Sequence, residues 1–327
     1  MQKIRPQLLK SGDEIRVVAP STGIKIIGAD TRRIAKERFE AMGLKVSFGA
    51  NTIDDNFDMM GSSSIEKRAA DINEAFADEN VKAIFTIIGG FNSNQLLPFL
   101  DYDLIKRNPK IVCGYSDITA LLNGIYAKTG LIGFYGPHYS SIGMLKGNEY
   151  TIDCMKKVLF DGRGEITPSA EWSDDAWYKD QENREFVAND GWWILQDGEA
   201  KGELAGGNLC TYTLLQGTPY QPKFAKDTIL MVEDCYYTFA NDEEFLRDLQ
   251  SVAQREDFVN VRAVLIGRFQ KKSDISREKL AFIVNSIPQL RGLPIIANMD
   301  FGHTTPIATL PIGGKCEVSS KKIRVEW

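Results

Sequence analysis

Ser116 stands in Gly114-Tyr115-Ser116-Asp117, between an apolar run at 111–113 and an amphipathic stretch at 117–128. A serine on a sharp strand-to-helix turn is lifted out of its sheet, and helix N-terminal N–H groups beside it can stabilise an anion. The pattern departs from G-x-S-x-G, because Ile118 occupies the last glycine position. The plainer role for the same residues is helix capping by Ser116, with Asp117 complementing the helix dipole. Gly89-Gly90 follows the apolar run 81–88. A glycine pair at a strand's carboxyl end lets a ligand approach the backbone, whose N–H groups can donate to an oxyanion; a simple tight turn needs the same residues.

A serine nucleophile needs a base that titrates near neutrality. The chain has two histidines, His138 and His303. His303 lies in Asp300-Phe301-Gly302-His303-Thr304-Thr305-Pro306, a turn after an expected strand at 293–297, and His138 follows Gly136-Pro137 after another. Either ring could face a cleft. Glu233-Asp234 ends the apolar run 229–232, where a carboxylate could orient an imidazole; periodicity does not choose between the two acids. Gly206-Gly207-Asn208 could turn an amide into a cleft. Of the tryptophans at 172, 177, 192 and 193, the last two lead a strand-like run suited to packing. Trp177 sits in a polar stretch and is the better ligand contact. Cys113 reads as an inert buried thiol.

The elements that must position these residues follow from periodicity. Strands are expected at 14–20, 44–48, 81–88, 111–113 and 131–135. Helices are expected at 30–42, from the Ser63-x-x-Glu66 capping box to 76, at 92–100, 117–128 and 148–160. Alternating strands and helices predict an α/β N-terminal domain, an open and largely parallel sheet flanked by helices, with any site at the strands' carboxyl ends. After 161 the texture changes to short strands, interrupted by helices near 241–256 and 276–289. The expected organisation is an α/β nucleophile domain (1–165), a Trp-bearing linker segment (166–190) and a β-rich C-terminal domain carrying the acid and base (191–327).

Composition limits the function classes. The chain has 327 residues, 43% hydrophobic and 25% charged, with net charge −5. This is ordinary for a globular protein and argues against a strongly basic nucleic-acid binder. Five cysteines without C-x-x-C, two histidines and no H-E-x-x-H predict neither a disulfide framework nor a metal site. G-x-G-x-x-G and Walker A patterns are missing, which weakens a nucleotide-cofactor reading. Without a membrane-span pattern or secretory signal, the expected address is cytoplasmic.

Gly-Tyr-Ser-Asp at 114–117, Gly89-Gly90, Gly-Gly-Asn-Leu at 206–209, Glu-Asp at 233–234 and Phe-Gly-His-Thr-Thr-Pro at 301–306 together resemble the LD-carboxypeptidase family of serine peptidases, nearly end to end. The Trp-bearing stretch 171–186 is similar to the family's microcin C immunity branch. The resemblance implies a barrel-like C-terminal domain, a site between the domains, a homodimer and no cofactor. It implies Ser116 as nucleophile, His303 as base and Glu233 as orienter, with the backbone N–H groups of Gly90 and Asp117 as oxyanion hole. Gly89 and Asn208 would meet substrate, and Trp177 would stack on a nucleobase. The implied reaction is amide hydrolysis of a small aminoacyl-nucleotide substrate. One alternative is removal of the terminal D-Ala from a muropeptide tetrapeptide; another is a non-catalytic two-domain module that binds a small molecule.

Overall fold

The computed structural model describes residues 2–53, 57–235 and 242–327. In the first half, strands β1 (Glu14–Val18), β2 (Lys45–Phe48), β3 (Val81–Thr86), β4 (Ile111–Gly114) and β5 (Gly133–Tyr135) alternate with helices. The helices are α1 (Ala29–Ala41), α2 (Ile65–Ala77), α3 (Tyr102–Arg107), α4 (Thr119–Thr129), α5 (Tyr139–Ile142) and α6 (Glu149–Asp161). The strands pair in the order β5-β4-β3-β1-β2, all parallel. The expected α/β half is therefore present. Local details differ. Helix α2 is capped by Ser64, whose hydroxyl accepts from Lys67 N, one residue past the capping box read from the sequence. The stretch at Ser93–Phe99 is a 3-10 helix containing Pro98.

The second half contains β6 (Arg163–Ile166), β7 (Glu171–Trp172), β8 (Val187–Ala188), β9 (Trp193–Gln196), β10 (Ala200–Asn208) and α7 (Leu209–Thr213). It continues with β11 (Thr228–Glu233), α8 (Asp242–Ala253), β12 (Val261–Gly267), α9 (Arg277–Ser286) and β13 (Ile295–Met299). The last strands are β14 (Leu310–Ile312), β15 (Lys315–Val318) and β16 (Ile323–Glu326). Here the barrel-like expectation is corrected. The eight-stranded sheet runs β6-β16-β15-β10-β11-β12-β13-β9 and is open, with β6 and β9 as separate edges. Its centre, β10 to β13, is parallel. Parallel neighbours require crossovers, and α7, α8 and α9 lie in those connections.

Side-chain alternation explains how this sheet joins the two halves. In β11, Ile229 and Met231 face the core shared with the first domain, while Leu230 and Val232 face a second core containing residues of α7, α8 and α9. β12 splits the same way, Ala263 and Leu265 against Val264 and Ile266. Both faces are covered, so these strands read as unbroken apolar runs. The halves also exchange strands. β14 adds antiparallel to β5 at the edge of the first sheet, while β6, which straddles the expected boundary at 165, pairs with β16 in the second.

Candidate active site

The two sheets meet with the carboxyl ends of their parallel strands together. From the first come Gly89-Gly90 after β3, Ser116 after β4 and His138 after β5; from the second come Asn208 at the end of β10, Glu233 at the end of β11 and His303 after β13. Ser116 Oγ and His303 Nε2 are 2.9 Å apart, and His303 Nδ1 lies 2.8 Å from Glu233 Oε2. The hydroxyl, ring and carboxylate thus form one continuous chain across the domain junction.

Local backbone chemistry sets each end. Ser116 has φ +60, uncommon for a non-glycine residue and a position of stored strain. It opens a 3-10 turn that continues into α4. Asp117 is buried, and its carboxylate accepts from Asn92 N and Ser93 N at 3.1 and 2.9 Å, tying the loop after Gly90 to the serine turn. Ser21 Oγ accepts from Phe91 N, and a Cβ on Gly90 would collide with that hydroxyl. The Gly89-Gly90 loop is therefore held between Ser21 and Asp117, and Gly90 must stay a glycine.

Glu233 is 0% exposed and uses both oxygens. Oε2 meets His303; Oε1 accepts from Tyr135 Oη at 2.8 Å and Asn208 Nδ2 at 3.1 Å. Burial works to raise its pKa, but the His303 charge and the hydrogen bonds from His303, Tyr135 and Asn208 outweigh burial, so the carboxyl lies below its ordinary value. Burial likewise opposes charge on His303, yet the Glu233 carboxylate overrides it and holds the imidazole well above the usual histidine range. Gly302, at φ +106, makes room for this contact, since a Cβ there would stand 2.9 Å from Glu233 Oε2.

The alternatives left by the sequence separate cleanly. Glu233, rather than Asp234, faces the ring; Asp234 accepts from Asn208 Nδ2 and Cys235 N. His138 is 2% exposed, with Nδ1 held 2.7 Å from Thr86 Oγ1 and its ring 4.3 Å from that of Tyr115. Burial drives its pKa well below the ordinary value, leaving it neutral. Gly89 lies against the serine: a Cβ there would meet Ser116 Oγ at 3.1 Å. Asn208, expected to meet substrate, is buried, its amide nitrogen spent on Glu233 and Asp234 and its oxygen accepting from Thr211. The register places it opposite Glu233, so it acts on the acid. Trp177 is half-buried, its ring 6.0 Å edge-on from Tyr178. Trp192 and Trp193 pack against the two cores as expected. Burial pushes the Cys113 thiol up, in keeping with an inert group. Tyr135, which the sequence reading passed over as a strand residue, donates to Glu233 across the domain junction; no local pattern marks that role. Among the described residues no cluster of metal-ligating side chains occurs, and no helix is long and apolar enough to cross a membrane.

Comparison with known proteins gives a consistent set of relatives. The LD-carboxypeptidase N-terminal domain matches residues 15–136 and the LD-carboxypeptidase C-terminal domain matches 201–318. A Treponema pallidum protein named "Putative carboxypeptidase" is 50% identical over 95% of this chain and 91% of its own length. The microcin C7 self-immunity protein MccF of Escherichia coli is 32% identical over 95% of this chain and 91% of its own. A Bacillus subtilis "Probable murein peptide carboxypeptidase" is 28% identical over 97% and 92%. Among solved structures, an MccF-like protein from Bacillus anthracis superposes with TM-score 0.95 at 47% identity, covering 99% of both chains. MccF in complex with aspartyl sulfamoyl adenosine superposes with TM-score 0.86 at 31% identity, covering 98% of both.

Proposed function

The chain belongs to the LD-carboxypeptidase family of serine peptidases, and from that premise we propose that Ser116, His303 and Glu233 form its catalytic triad and act on an aminoacyl-nucleotide substrate. The observation that carries the reading is the unbroken hydrogen-bond chain from Ser116 Oγ through His303 to a buried Glu233.

In the proposed reaction Ser116 Oγ attacks the aminoacyl carbonyl carbon while His303 Nε2 takes its proton. Glu233 holds Nδ1–H and stabilises the imidazolium. The negative charge gathers on the carbonyl oxygen, where the N–H groups of Gly90 and Asp117 would donate, each contributing roughly 3–4 kcal/mol in comparable enzymes. Collapse of the adduct breaks the amide bond. His303 Nε2–H protonates the departing nitrogen, leaving an acyl-serine and a nucleoside sulfamate or phosphoramidate that carries that nitrogen as NH2. Water, deprotonated by the same nitrogen, then releases the amino acid. No step calls for a cofactor.

The substrate assignment draws on the relative in complex with aspartyl sulfamoyl adenosine and on the half-buried Trp177. A flat aromatic platform suits a nucleobase. The 28% identity to a murein peptide enzyme supports a second reading, removal of a terminal D-Ala from a muropeptide tetrapeptide, which would need a cationic clamp for the terminal carboxylate.

The test is a side-by-side assay of purified protein with aspartyl sulfamoyl adenosine and a muropeptide tetrapeptide. Hydrolysis of the sulfamoyl substrate is expected. Ser116→Ala should lower kcat by about 10⁴-fold or more while ligand affinity, read by calorimetry, persists. Turnover of the tetrapeptide alone would transfer the assignment to the muropeptide reading. Full activity in the alanine variant would reject Ser116 as nucleophile, and ligand binding without turnover in the parent would favour a binding module.

A further inference from the structure

The loop that carries His303 is fastened at both ends to the Trp-bearing segment. At its start, Asp300 accepts from Ser169 N and Oγ at 3.0 and 2.5 Å and from Trp192 Nε1 at 3.4 Å. It also pairs with Arg268 Nη1 at 2.9 Å, both side chains being almost wholly buried. At its end, Thr305 and Ser173 exchange two backbone hydrogen bonds, N to O at 2.9 and 2.8 Å. Trp177 follows shortly after Ser173 in the same segment, with its backbone N–H on Asp175 O.

Arg184 joins the pieces. Its side chain is 0% exposed although the segment around it is largely open to solvent. Nε donates to both oxygens of Asp175 at 3.0 and 3.2 Å. Nη1 donates to Lys146 O at 2.8 Å, in the first domain, and Nη2 reaches Thr305 Oγ1 at 3.3 Å, two residues beyond the base. The guanidinium also lies over Phe186, 4.8 Å from its ring centre. One planar fork therefore contacts the segment, the nucleophile domain and the base loop together. An ammonium, a point donor on a flexible stem, lacks that fixed fork geometry.

We propose that Arg184 is a positioning residue that locks the Trp-bearing segment and the His303 loop into one unit, so that a substrate gripped by the segment is set in register with the base. This rests on the triad and substrate reading given above. It predicts that loosening Arg184 disturbs two quantities at once: the readiness of Ser116, through Thr305 and the base loop, and substrate affinity, through Asp175 and Trp177. A purely structural contact would lower stability and leave both unchanged in the folded fraction.

The experiment measures the rate of Ser116 labelling by a fluorophosphonate, which reports Ser–His geometry without a natural substrate, and KM for aspartyl sulfamoyl adenosine. Parent, Arg184→Ala and Arg184→Lys are compared below their melting temperatures. Arg184→Ala should label at least about tenfold more slowly and raise KM by a similar factor. Arg184→Lys should fall between it and the parent in both. If Arg184→Ala does not fold, Arg184→Lys decides alone. A folded variant within twofold of the parent in both quantities, with the parent labelled normally, overturns this inference by itself. A parent that is not labelled at Ser116 overturns the serine reading and this inference with it.

Discussion

At the residue scale, the proposed chemistry depends on how a fully buried Glu233 and a partly exposed His303 divide a charge. Glu233 is completely enclosed, a setting that by itself favours the neutral acid, yet hydrogen bonds from His303, Tyr135 and Asn208 keep it ionised. Its charge in turn raises His303 above the ordinary value of 6.5. With His303 as the proposed base, which must be neutral to accept a proton, kcat/KM should fall as pH drops through this raised value. The acid limb of the profile is therefore expected above pH 6.5. Glu233→Gln removes the largest charge that raises the ring, Cys235 supplying a smaller part. The limb should then move to lower pH while kcat drops by roughly 10³–10⁴-fold, as when the orienting acid of other triads is neutralised. An acid limb left in place by Glu233→Gln would mean that a different group titrates. His138 cannot supply this limb, because its pKa is pushed down by burial.

At the element scale, each functional group stands just beyond the carboxyl end of a parallel strand or at its last residue. The short loops bridging the remaining distance are tightly constrained. The His303 loop is the clearest case. Gly302 has a positive φ and passes so close to Glu233 that a methyl group would press on Oε2. Gly302→Ala combines backbone strain with that contact. It should cost upwards of about 1 kcal/mol of stability and lower kcat more than it raises KM, read from thermal melts and steady-state kinetics. Unchanged kinetics would mean that the loop can shift without moving the imidazole. The strands and helices of the first half were legible because they alternate in period, each marked by Gly, Pro or capping residues. The parallel centre of the second sheet was not. Strands covered on both faces read simply as apolar runs, and short apolar runs do not announce whether their neighbours are parallel.

At the scale of the whole molecule, the two halves are joined more intimately than a linear division suggests. β14, far along the chain, completes the edge of the first sheet, and β6 belongs to the second. Tyr135 Oη reaches from the first sheet to the acid of the second, while Asn208 N donates to Thr119 Oγ1 in the opposite direction. A fragment of residues 1–165 would expose the β5 edge and the apolar face that Met231 and Leu265 now cover. It should lack a cooperative melting transition, whereas the full chain melts as one unit. A fragment that unfolds cooperatively with native near-ultraviolet circular dichroism would show that the exchanged strands are dispensable.

Residue types and local spacing alone determined the α/β first half, the serine at a strand-to-helix turn, the glycine pair, the strand-end acids and the two eligible histidines. Each is a property of a few neighbouring residues. Tertiary structure decided which histidine faces the serine and which acid faces that histidine, that Asn208 serves Glu233, that Tyr135 donates across the junction, and that the second sheet stays open. Those outcomes depend on contacts between residues 25 to 187 positions apart, from Asn208 with Glu233 to Ser116 with His303. The pairing of such distant groups is set by sheet register and by the way two packed faces bring strand ends together, so no short stretch of sequence contains it.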